Sequence, residues 1–168
     1  MQAIIQAFWQ IVLFRAGPQT LPDSKNLLAF ACFLYVLANV LFVFVQYAPQ
    51  AIVAIPADLI LVFAWIYGLL AFFNFRARVR QTLTAMFGTG ALLQFITLPV
   101  IALAGQDATS AIMMLALIII LLWSTAVHGY ILSQALDKTF GVGVALAVVY
   151  FFISNGIIGP LLAPAAAT

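Results

Sequence analysis

From Asn26 to Leu162 the chain is a succession of five apolar runs, each about 22–25 residues long, separated by short polar breaks. No motif constrains the fold as much as these runs do. A helix rises ~1.5 Å per residue, so a run of this length just crosses the ~30 Å hydrocarbon core of a bilayer. The runs lie at about 26–47, 51–75, 82–104, 110–134 and 141–162, with "APQ", "RARVRQ", "GQDATS" and "SQALDKTFG" between them. The second has the softest start, because Pro56 and Asp58 can also be assigned to the preceding loop. Leu59 to Phe75 alone would still just span.

Charge points to the same solvent. Only 6% of the 168 residues are charged and glutamate is absent, whereas a water-facing domain carries about a quarter. The expected class is therefore all-α, a single membrane domain over 1–168 built as a bundle of five transmembrane helices. A net charge of +2 is too small to imply a nucleic-acid partner. Cys32 is the only cysteine and sits inside an apolar run, which excludes an intramolecular disulfide or a Cys-rich metal site.

Residues 1–15 differ from the rest. Gln2, Gln6 and Gln10 recur every four residues and mark one stripe of a helix, with Ile5, Phe8, Trp9 and Val12 away from it. The segment is too short to span. We expect an amphipathic interfacial helix lying along the membrane, with Trp9 at headgroup level and Arg15 at its end. It lacks a basic lead before its apolar stretch, so a cleaved signal peptide is not expected. Gly17, Pro18 and Pro22 then break helix, and Asp23 or Ser24 is placed to cap the next one.

The basic residues predict orientation. With five spans and the N-terminus inside, Arg15, Lys25, Arg76, Arg78, Arg80 and Lys138 all fall on one side. Short cytoplasmic loops retain Lys and Arg, so the pattern predicts a cytoplasmic N-terminus and an outside C-terminus. Arg15, Lys25, Arg76, Arg78 and Arg80 are candidates to contact anionic lipid or an acidic partner, beyond their role as topology anchors. Small residues four apart nominate helix contacts at Ala64–Gly68, Gly141–Ala145 and Gly143–Ala147. Pro99 and Pro56 are candidate kinks.

Depth can be reckoned from the helical rise. Asn39, Gln94 and Asn155 each fall roughly 20 Å from the inner face, and Asp58 reaches the same level counted from the outer end. Four spans thus carry a polar side chain at one height. These residues either hydrogen-bond the bundle together or form a proton or cation path centred on Asp58. His128, with Ser124 and Thr125 one turn back, is a secondary polar site near the inner end of the fourth span. Trp123 lies too deep for an interfacial belt and reads as packing, whereas Tyr130 fits the belt.

No metal-ligand spacing, phosphate loop or nucleophile-and-base pairing is legible, so neither cofactor nor catalysis is expected. The entry segment "IVLFRAGPQTLP", the stretch "IIILLWSTAVHGYILSQAL" and the five-span layout resemble the Yip family, small membrane proteins named for interacting with Rab-type GTPases. The short loops look like those of its bacterial, inner-membrane relatives. The resemblance implies an all-helical integral membrane protein acting through partners or lipids. The leading expectation is a non-enzymatic scaffold, assembly or membrane-organising factor with a membrane-protein partner or a second copy of itself. The alternative is a small permease or channel, proton-linked, using Asn39, Asp58, Gln94 and Asn155.

Overall fold

A computed structural model describes residues 2–46, 49–104 and 111–162. Helix accounts for 89% of the structure, and the described residues contain no strand. The elements are α1 (Gln2–Val12), α2 (Lys25–Gln46), α3 (Ala54–Phe72), α4 (Val79–Ala104), α5 (Ala111–Ala135) and α6 (Phe140–Leu162). Short 3-10 turns at Pro18–Thr20, Pro49–Val53 and Arg76–Arg78 precede α2, α3 and α4. The five helices from α2 onward are long and apolar enough to cross a membrane. The predicted outer loop with Asp107 lies outside the described residues.

The boundaries follow local chemistry. Ser24 caps α2, its Oγ accepting from the Leu27 N–H at 3.4 Å. Pro56 sits in the first turn of α3, where a missing N–H costs nothing, so it starts the helix and does not kink it. Pro99 stands inside α4, and Pro160, which the reading above did not single out, stands inside α6. Three helices end on left-handed residues, none of them glycine: Phe14 (φ 59°), Asn74 (φ 63°) and Asp137 (φ 51°). At each end the next N–H reaches back a full turn, Arg15 to the Gln10 carbonyl, Phe75 to Leu70 and Lys138 to Ser133. This is the Schellman arrangement.

α4 is the axis of the bundle. Every residue from Thr82 to Ala91 is buried. Thr82, Thr84 and Thr89 are tolerated there because each hydroxyl donates to a carbonyl one turn back on its own helix. Gly88 gives room to the Phe8 ring and Gly90 to the Tyr35 ring, so α1 and α2 both close on the axis. α1 therefore packs into the bundle through Ile4, Ala7, Phe8, Ile11 and Val12. Ile5 and Trp9 share its exposed side with Gln6 and Gln10. The apolar face differs by about one residue step from the one expected, because contact with α4 selects it.

Only one expected small-residue pair is a contact. Gly143 and Ala147 are buried against α5, where Gly143 lies against the Gly129 carbonyl and Ser133. Gly141 and Gly68 face open space, and Ala145 and Ala64 are exposed with them. The outer faces of the spans carry large apolar side chains, among them Phe72 and Ile112, each 79% exposed. So much exposed apolar surface is compatible with a lipid surround.

Candidate functional site

Near mid-height of the bundle, polar side chains from three helices join in a chain. Tyr35 (α2) donates its hydroxyl to Asp58 (α3) at 2.7 Å. Asn39 (α2) donates to the Tyr35 carbonyl at 2.9 Å, and Gln94 (α4) donates to the Asn39 Oδ1 at 3.4 Å. The hydrogen bonds thus bring together Asn39, Asp58 and Gln94, the last two through Tyr35 and Asn39. They leave out Asn155, which is exposed and donates to Phe151 of its own helix at 2.8 Å. Its azimuth on α6 is wrong, and the neighbouring Ser154 turns inward instead.

Two cavities lie between these helices. One of about 250 Å³ is lined by Tyr35, Gly90, Gln94, Thr97, Ser124 and His128, among others. A second of about 140 Å³ is bordered by Trp65, Ser124, Thr125, His128, Tyr150 and Ser154. Both exceed the ~30 Å³ share of one water molecule. Leu121, Ser124 and His128 border both, so His128 stands between them. The secondary site read from Ser124, Thr125 and His128 is thus continuous with the Asp58 chain through Tyr35. All five spans contribute a polar side chain to the assembly.

Two of these polar groups are unsatisfied among the described residues. Trp65 Nε1 and Tyr150 Oη are buried without a hydrogen-bond partner, their rings 5.8 Å apart. Tyr150 Oη sits beside Ser154, close enough to interact but without hydrogen-bond geometry. Thr125 satisfies itself on the Leu121 carbonyl at 2.9 Å. Tyr35, Trp65, Tyr150 and Ser154 are the members missed from the sequence. Spacing was the available signal: Tyr35–Asn39, Ser124–His128 and Tyr150–Ser154 are each four apart, which puts both members on one helix face.

The basic end of the bundle is organised differently from expectation. Arg78 pairs with Asp137 at 2.8 Å, donates to the Ala135 carbonyl at 3.1 Å and covers the Phe75 ring at 4.6 Å. Arg80 pairs with Asp23 at 3.0 Å. These two arginines tie the start of α4 to the loops before α2 and after α5, and their charges are already matched. Lys138 covers the Phe73 ring at 5.6 Å. Arg15, Lys25 and Arg76 are exposed and have no acidic partner among the described residues. Phe14 fixes the end of α1 beside them, with edge contacts to Trp123, Tyr130 and Phe140 at 5.2–6.2 Å. Trp123 does pack, although one face stays exposed.

No three His, Cys, Asp or Glu side chains converge among the described residues. Comparison with family models, with curated proteins and with solved structures gives no match.

Proposed function

We propose that the chain is a non-enzymatic integral membrane protein that passes protons, or a small polar solute with them, through the polar core shared by its five spans. One observation carries this reading. Trp65 Nε1 and Tyr150 Oη are buried without a hydrogen-bond partner among the described residues, on side chains that line the cavity His128 borders. At membrane depth each such atom costs several kcal/mol if left bare. They are tolerated where water or a solute completes them. His128 borders both cavities and Tyr35 links the larger one to Asp58, so two titratable side chains flank one wet route. Ionisable groups at this depth are costly and mark ion or proton pathways.

The test uses protons as the probe. The purified full chain in liposomes carrying an internal pH dye is given an inward-negative potassium diffusion potential. Internal acidification well above protein-free vesicles is expected, falling at least tenfold for Asp58→Asn and for His128→Gln with melting temperature unchanged. Flux equal to empty vesicles, or indifferent to both substitutions, removes the reading.

A scaffold role keeps one specific support, Arg15, Lys25 and Arg76, exposed at one end without an acidic partner among the described residues. Together with the Yip-like resemblance, it supports reading that end as a contact for an acidic partner or an anionic membrane surface, on the cytoplasmic side of a bacterial inner membrane. Crosslinking in the native membrane, followed by identification of co-purified chains, tests it. A near-stoichiometric partner lost with Arg15→Gln and Arg76→Gln supports this role. Recovery of the chain alone removes it.

A further inference from the structure

α2 and α3 follow each other in sequence yet leave a fissure between them. α2 closes on α4, and α3 leans toward α6, so an apolar groove of about 460 Å³ opens between α2 and α3 with α4 as its floor. Leu28, Ala29 and Cys32 form one wall, Ile60 and Phe63 the other, and Leu83 and Phe87 of α4 the floor. By helical rise its α2 wall, Lys25 to Cys32, runs about 10 Å inward from the basic end, roughly two thirds of one leaflet of a ~30 Å hydrocarbon layer.

Among the described residues, Lys25, at the basic end, is its only charged lining residue. Lys25 is exposed and has no acidic partner among the described residues, because the nearest carboxylate in sequence, Asp23, is held by Arg80. The other acid at this end, Asp137, is held by Arg78. An apolar slot that opens at the basic end, with an uncompensated cation at its mouth, is complementary to one kind of molecule. We propose that this groove binds an anionic glycerophospholipid, one acyl chain between α2 and α3 and the phosphate on Lys25. The site is separate from the cavities around His128. It rests on reading the five helices as membrane spans, and not on proton passage.

The experiment is native mass spectrometry of the full chain, first exchanged into nanodiscs and then released, with equimolar phosphatidylglycerol and phosphatidylcholine of identical chains. The wild type should retain phosphatidylglycerol about fivefold over phosphatidylcholine, the preference one basic residue confers near a membrane surface. Lys25→Gln should bring the ratio to one, Lys25→Arg should keep it, and Arg76→Gln should leave it unchanged. Ala29→Phe fills the groove from an exposed position and should remove the retained lipid without lowering the melting temperature. Equal retention of the two lipids, or a preference that survives Lys25→Gln, overturns the proposal. So does displacement by soluble glycerol phosphate, which would mean that the headgroup alone is read. A dimer broken by Ala29→Phe would place a second copy in the groove and also overturns it. Failure to enter nanodiscs at all would sink both the membrane reading and this site.

Discussion

Arg78 meets a carboxylate, a carbonyl and an aromatic face at once, which is why the "RARVR" run does more than set orientation. Its partner Asp137 is held below the usual carboxylate range, chiefly by the Arg78 hydrogen bond. Desolvation pushes the other way, and the charges of Arg78 and Lys138 add to the lowering. Because the folded state depresses this group, the pair contributes stability above the ordinary aspartate range. That contribution is lost as pH falls through the folded value. In a carboxyl-carbon NMR titration, Arg78→Gln should move the Asp137 midpoint upward, toward the ordinary value of 3.8. An unchanged midpoint would mean the pair does not form in the folded protein.

Glycines divide at the same scale. A Cβ on Gly143 would strike the Gly129 carbonyl and Ser133, backbone that cannot step aside without parting α5 from α6. Gly143→Ala should therefore destabilise by ~1–3 kcal/mol. Gly68 meets nothing, so Gly68→Ala should be neutral or stabilise by up to ~1 kcal/mol through helix propensity. Thermal or denaturant melts in one detergent check the contrast. Both glycines head or close a small-xxx-small pair, so sequence alone could not separate them.

At the scale of elements, helix ends carry information that a boundary alone does not. Asn74 and Asp137 are residue types that tolerate the left-handed conformation, so their Schellman ends were readable. Phe14 was not. Its ring is held against Trp123, Tyr130 and Phe140, and those contacts offset a backbone cost of ~1–2 kcal/mol. Phe14→Ala loses the ring and keeps the strain, whereas Phe14→Gly loses the ring and relieves the strain. We expect both to destabilise, with the glycine variant more stable than the alanine one by ~1 kcal/mol, measured by reversible denaturation. The reverse order would show that this end of α1 frays and the Schellman turn is not held.

The same scale explains the misread face of α1. Its glutamine stripe is real, since Gln6 and Gln10 are exposed, but Trp9 and Ile5 lie with them because Phe8 and Ile11 are the side chains that fit α4. A stripe of amides identifies the side that stays out. Where both lipid and protein are apolar neighbours, it does not identify which remaining residues go in.

For the whole molecule, the gathering of every lysine and arginine at one end predicts its orientation. A C-terminal alkaline phosphatase fusion should be active and a C-terminal green fluorescent protein fusion dark in bacterial cells, with the opposite results for N-terminal fusions. The reverse outcome would put the cation-rich end outside and detach the lipid site at Lys25 from the cytoplasmic leaflet. Helix number, approximate span limits and antiparallel order are one-dimensional quantities. They depend on chain order and a constant rise per residue, so the sequence by itself determined them. Azimuth is different. It decided that Asn155 faces outward while Ser154 faces a cavity, and that Tyr35, Trp65 and Tyr150 join the polar core. It also decided that Arg78 and Arg80 find acids while Lys25 does not. In a water-soluble helix the polar face announces itself, but a helix bathed in lipid is apolar on every side. Which side turns inward is set only by the shape of its neighbours, and the tertiary structure alone supplies that.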